Sequence, residues 1–110
     1  VAVLTVEIFA HAPEDTDPDT FPPDAFIETT LRDAIAPLTG TPESALPVLT
    51  CAITPYGGAA MVEALCVGPS GEEATDVIAA RLEAAMQDTP DAFEGWHLHA
   101  GCTHVHMSDN

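Results

Sequence analysis

Two segments of the chain are apolar on both alternating faces, and two others are apolar only at helical spacing. Val1 to Ala10 (VAVLTVEIFA) is rich in β-branched residues with Glu7 its only charge, which predicts a central strand. A loop dense in Pro and Asp follows from His11 to Phe21. Pro22-Pro23 then opens a helix, since proline is tolerated in the first turn. Phe26, Ile27, Leu31, Ala34, Ile35 and Leu38 make its apolar stripe, and Thr39-Gly40-Thr41-Pro42 stops it. Leu46 to Thr54 reads as a second strand, ended by Pro55-Tyr56-Gly57-Gly58, and Ala59 to Val67 (AAMVEALCV) as a third, after which Gly68-Pro69 turns the chain. Ser70-Gly71-Glu72-Glu73 is a capping box, with Ser70 bonding the third helical amide while Glu73 reaches back. The helix it opens carries Ala74, Val77, Ile78, Leu82, Ala85 and Met86 at helical spacing. Thr89-Pro90-Asp91 ends it before a fourth strand, Trp96 to His106.

The order β-α-β-β-α-β predicts one α+β domain spanning 1–110, built from two successive β-α-β units of similar length. Right-handed crossovers give a four-stranded sheet with two helices on one face. The other face is then bare. On the first strand Val1, Val3 and Thr5 have one parity and Ala2, Leu4, Val6 and Ile8 the other; on the third, Met61, Leu65 and Val67 oppose Val62, Ala64 and Cys66. Side chains turned away from the helices need cover, so the pattern predicts an oligomer.

Composition narrows the class. Hydrophobic residues make up 46% of 110, enough for one packed core. With no bilayer-length apolar run and no signal-peptide pattern, the expectation is a soluble, cytoplasmic protein; a start at Val1 without Met implies a removed initiator or a trimmed start. Eighteen acids face two arginines, a net charge of −16, which excludes nucleic acid and anionic membranes as partners. The acids are dispersed rather than gathered in a tail, a pattern suited to solvation in concentrated salt, and a salt-adapted source is expected. Glu14-Asp15-Thr16-Asp17-Pro18-Asp19 lacks the Gly and closing Glu of an EF-hand loop and reads as a solvated loop. Cys51, Cys66 and Cys102, an odd count without C-x-x-C, read as free thiols. Ser70 reads as a helix cap, and Gly57-Gly58 and Gly68-x-x-Gly71 as turns, since no Lys follows them to hold phosphate.

The densest chemistry lies in the last strand. His97, His99, His104 and His106 form two His-x-His pairs on either side of Gly101. The pairs have opposite parity, and a bulge at Gly101 puts all four imidazoles on one face. With Cys102 nearby, these side chains suit Zn²⁺, Cu²⁺ or Ni²⁺, although no ligand spacing fixes a geometry. A solvated face of a half-buried strand is the plainer alternative.

The stretches Thr39-Gly40-Thr41-Pro42, Tyr56-Gly57-Gly58, Ala64-Leu65-Cys66, Ala79-Ala80-Arg81-Leu82-Glu83, Asp91 and the opening Val3-Leu4-Thr5-Val6-Glu7-Ile8 together resemble the tautomerase superfamily. Its closest branch is that of macrophage migration inhibitory factor and D-dopachrome tautomerase. The resemblance covers nearly the whole chain in element order and length. It implies two β-α-β units closing as a homotrimer, and an enzyme without a cofactor whose N-terminal proline acts on a small carbonyl compound. It also implies that the last-strand residues lining the pocket correspond to His97 and His99. The chain departs from the family at its first residue, Val1, and at Thr41, where a basic residue is common. A free Val1 amine, with an ordinary pKa near ~8 that desolvation lowers, is still a usable base or imine-forming nucleophile. His97 and His99 then supply an acid or a hydrogen bond to an enolate oxygen. No cationic clamp is in view, since Arg32 and Arg81 both fall on helices. The expected function is therefore a keto–enol tautomerase-like enzyme with catalytic Val1, His97 and His99. A non-catalytic trimeric homologue and a His-rich transition-metal binder are the alternatives.

Overall fold

The computed structural model describes residues 2–38, 48–68 and 70–108, with side chains over 3–38, 48–68 and 70–106. Four strands, β1 (Ala2–His11), β2 (Val48–Tyr56), β3 (Ala59–Gly68) and β4 (His97–Ser108), form one sheet. Among the described residues three α-helices accompany it: α1 (Asp24–Ile35), α2 (Gly71–Gln87) and the single turn α3 (Pro90–Phe93). The expected stop of α1 at Thr39-Gly40-Thr41-Pro42, the start of β2 at Leu46, Pro69 and Val1 all lie outside the described residues.

The helices form where capping and periodicity put them. Ser70 is extended, and its hydroxyl accepts the Glu73 amide at 3.2 Å, as the capping box requires. From there α2 buries Ala74, Ile78, Leu82 and Met86, one residue per turn. Pro23 caps α1, which buries Ile27, Leu31 and Ile35. Phe26 departs from the expected stripe: it stays 41% exposed and stacks on Phe93 with ring centroids 6.1 Å apart. The stripe follows a strict four-residue step, and Phe26 falls one residue off it. The turn α3, read in the sequence as a simple helix end, is opened by Pro90 and tucks Phe93 into the core.

The sheet order is β2-β3-β1-β4, and every neighbouring pair is antiparallel. This corrects the expectation of two successive β-α-β units. The strands joined by α1 (β1 and β2) are parallel but not neighbours, because β3 lies between them. Likewise β1 separates β3 from β4, so the units are interleaved as split β-α-β motifs. The Tyr56-Gly57-Gly58-Ala59 link explains this arrangement. A Gly-Gly loop makes a tight hairpin, which forces β2 and β3 together as antiparallel neighbours. Gly58 has φ +76°, and a Cβ there would meet the Phe21 ring at 2.5 Å, so this turn position requires glycine.

Alternation along the strands sets the layers. Leu4, Val6, Ile8 and Ala10 of β1 and Ala60, Val62, Ala64 and Cys66 of β3 are buried in one cluster with the apolar faces of α1 and α2. Val3, Thr5, Glu7, Phe9 and His11 point the other way and are only half-buried. Helices thus cover one sheet face, and the opposite face of the chain is open.

Candidate functional site

The open face gathers all five histidines. β1 continues through His11, which sequence reading had assigned to the following loop, and His11 pairs with His97 across the strand boundary. Phe9 pairs with His99 and Thr5 with His104. Residues 5, 9 and 11 have one parity, so the three imidazoles opposite them share one face. The parity of β4 is reset where Val6 faces Thr103 and Ile8 faces Ala100, leaving Gly101 and Cys102 together opposite Glu7. This is the bulge at Gly101 that the two His-x-His pairs need. A second irregularity leaves His106 as the extra residue between the Leu4–Val105 and Val3–Met107 pairs, and its Nε2 lies 2.6 Å from Thr5 Oγ1.

The histidines form two groups. His11, His97 and His99 cluster at one end of the β1–β4 ladder. His11 Nε2 and His99 Nδ1 are hydrogen-bonded at 2.9 Å; the His11 ring centroid is 4.0 Å from that of His97 and 4.8 Å from that of His99. Phe9 stacks on His99 with centroids 5.2 Å apart, fixing one side of the cluster. A hollow of about 310 Å³ opens there, lined by Phe9, His11, Tyr56, Ala59 and His99. His104 and His106 stand further along, beside Thr5. Between the groups, the Glu7 carboxylate accepts the Cys102 amide at 3.3 Å.

Electrostatics favour the neutral form of His11. Desolvation lowers the pKa of His11 from its ordinary 6.5, and the neighbouring His97 and His99 lower it further, against an opposing pull from Glu14. A depressed histidine is neutral in the fold at a pH where the unfolded chain binds a proton. Its contribution to stability is therefore present above pH 6.5 and is lost as pH falls through the folded value.

Of the three residues singled out in the sequence, the structure describes His97 and His99, which stand together on β4. His97 and His99 lie beside His11 and Phe9, whereas Ala2 pairs with Gly68 and Ser108 at the other end of β1. Nine residues of strand separate those ends, about 30 Å at the usual rise. Val1 itself lies outside the described residues. His11 is what sequence reading missed. The signal was its parity, which continues Glu7 and Phe9, but the Pro- and Asp-rich stretch after it hid the end of the strand.

The remaining candidates are structural. Cys66 is buried, and desolvation raises its thiol pKa. Desolvation also raises that of Cys51, with Arg32 opposing the shift. Both thiols are poor nucleophiles as a result. Arg32 is bonded to Glu28 at 2.6 Å along α1, and Arg81 lies on α2 in a groove between the helices, so neither arginine is on the open face. Among the described residues no helix is long and apolar enough to cross a membrane. Comparison with protein-family models and with curated proteins finds no match for the chain.

Proposed function

We propose that the chain is a tautomerase-like enzyme that moves a proton on a small, uncharged carbonyl compound, with the His11–His99 pair as its acid–base centre. The observation that carries this reading is the 2.9 Å bond between His11 Nε2 and His99 Nδ1. With both rings neutral, one of these nitrogens donates to the other. In either arrangement one outward nitrogen (His11 Nδ1 or His99 Nε2) has a free lone pair and the other carries a proton. The free lone pair takes the proton on carbon next to the carbonyl, and the outward N–H of the other ring supplies one to the oxygen. The shared proton then shifts across the pair. Keto becomes enol, the pair ends in its mirror tautomer, and no proton is gained or lost. Tyr56 lines the same hollow and brings a phenolic donor for the enolate oxygen. Neutral His11 is the form such a base requires.

The substrate class follows the resemblance to the tautomerase superfamily, narrowed by charge. A face without Lys or Arg, on a chain of net charge −16, does not attract keto acids. The same reading includes a homotrimer whose further copies cover the open face, where Val3, Phe9, Met61, Leu65 and Val67 are only half-buried. It also includes a cytoplasmic setting in a salt-adapted cell.

The test is deuterium exchange at the α-carbon of neutral ketones and aldehydes, followed by NMR in the presence of chelator. His99→Asn and His11→Asn are each expected to slow exchange about 10²-fold or more, while reductive methylation of the N-terminal amine leaves it unchanged. Loss on methylation with both variants active would return the chemistry to Val1. No exchange with any carbonyl would refute the enzyme reading.

A further inference from the structure

We propose that His11, His97 and His99 form a binding site for one first-row divalent transition ion, of the class Zn²⁺, Ni²⁺ or Cu²⁺. The geometry is that of two ligands on one strand and a third on its neighbour. His97 and His99 are two residues apart on β4 and face the same way, and His11 is the direct cross-strand partner of His97. The His11 ring centroid is 4.0 Å from that of His97 and 4.8 Å from that of His99. This brings three imidazoles into one cluster above the sheet. Tyr56 and Phe9 line the hollow beside it, and Glu14 is near enough to act on the charge of His11.

Among the described residues no group of three or more His, Cys, Asp or Glu side chains is arranged, as the side chains stand, to hold a metal ion. His11 and His99 turn their nitrogens toward each other and share a proton at 2.9 Å. Two imidazole nitrogens on a tetrahedral zinc ion stand about 3.3 Å apart, as bond lengths near ~2.0–2.1 Å require. Replacing the shared proton with an ion thus asks that gap to open by a few tenths of an ångström. His97 and His99 are exposed and His11 is half-buried, so the rings have room to turn on the side away from Phe9. Neutral imidazole is the ligand form. Because bound metal would occupy the lone pairs used for proton transfer, the ion inhibits the activity proposed above. The metal site itself stands on the geometry whether or not that activity is found.

The experiment is calorimetric titration of the chelator-stripped full-length chain with Zn²⁺ and Ni²⁺, in excess Mg²⁺ to saturate the acidic surface. The expected result is one ion per chain. His11→Ala, His97→Ala and His99→Ala should each weaken binding by more than about tenfold, the lower end of what even outer-shell partners contribute. The double variant His104→Ala/His106→Ala should bind as the wild type does, and circular dichroism should show all variants folded. Co²⁺ added to the wild type should give the absorption of a low-coordinate site. The proposal is overturned if no ion binds in excess Mg²⁺, if the His104/His106 pair matters as much as the cluster, or if the three single variants bind like wild type. Unfolding of one single variant leaves the other two and the Co²⁺ spectrum to decide.

Discussion

Raising KCl from about 0.01 M to about 1 M is expected to raise the thermal midpoint by about 20 °C, from a screening length of roughly 30 Å to one of roughly 3 Å. Sixteen net negative charges sit on a chain whose Cα radius of gyration is 14.1 Å, so most acids lie within a low-salt screening length of one another. Internal neutralisation is scant. Arg32–Glu28 is the one ion pair among the described residues, it is exposed at both ends, and pairs of that kind contribute little. Folding must therefore hold like charges together, at a penalty that salt removes. About 3–5 kcal/mol is a reasonable scale for the change, a large share of the roughly 5–15 kcal/mol that keeps a domain folded. Thermal unfolding followed by circular dichroism across a KCl series checks this. A midpoint flat within a few degrees would mean that the dispersed acids are not a burden, and the reading of salt adaptation would fall.

Gly101→Val is expected to cost about 1–3 kcal/mol and to disturb every imidazole beyond the bulge. A Cβ at Gly101 meets the Glu7 carboxylate oxygen, and it comes within 2.7 Å of Phe9 Cε2 and 3.0 Å of Glu7 Cδ. The Glu7 tip can swing aside, at the loss of its bond to the Cys102 amide. Phe9 has less freedom because its ring is stacked on His99. Two outcomes are open to the chain, and both damage the face. Either Phe9 tilts and releases His99, or the bulge closes and the strand beyond it slips by one residue, turning His104 away from the open face. Urea unfolding reads the first quantity and histidine side-chain NMR the second. A variant within about 0.5 kcal/mol of wild type with unchanged histidine signals would show that the bulge does not depend on glycine.

Much of the fold was legible because local patterns decided it. The capping box at Ser70–Glu73, the four-residue step of Ala74, Ile78, Leu82 and Met86, and the apolar β1 and β3 each specify an element without reference to neighbours. The bulge was legible too, as the one device that reconciles two His-x-His pairs of opposite parity. Which strands lie side by side is a different kind of information. Both parities of β1 and β3 are apolar, and that says the strands are central but not which neighbours they take. The Gly57-Gly58 hairpin held the missing clue, and reading it as a mere strand end led to successive units instead of interleaved ones. The site was half legible. His97 and His99 were visible as a pair, but their partner is His11, 88 residues before His99, and cross-strand pairing is not written in local spacing. The expectation that linked them to Val1 came from a resemblance, and Val1 lies outside the described residues.

Histidine side-chain NMR across a pH series tests the central claim, that three imidazoles on the open face form one coupled cluster. His11 is expected to protonate below its ordinary 6.5, with the His11–His99 bond breaking as it does. Removing His99 should bring His11 back toward that value. A His11 titration at its ordinary 6.5, unchanged by His99→Asn, would contradict that claim.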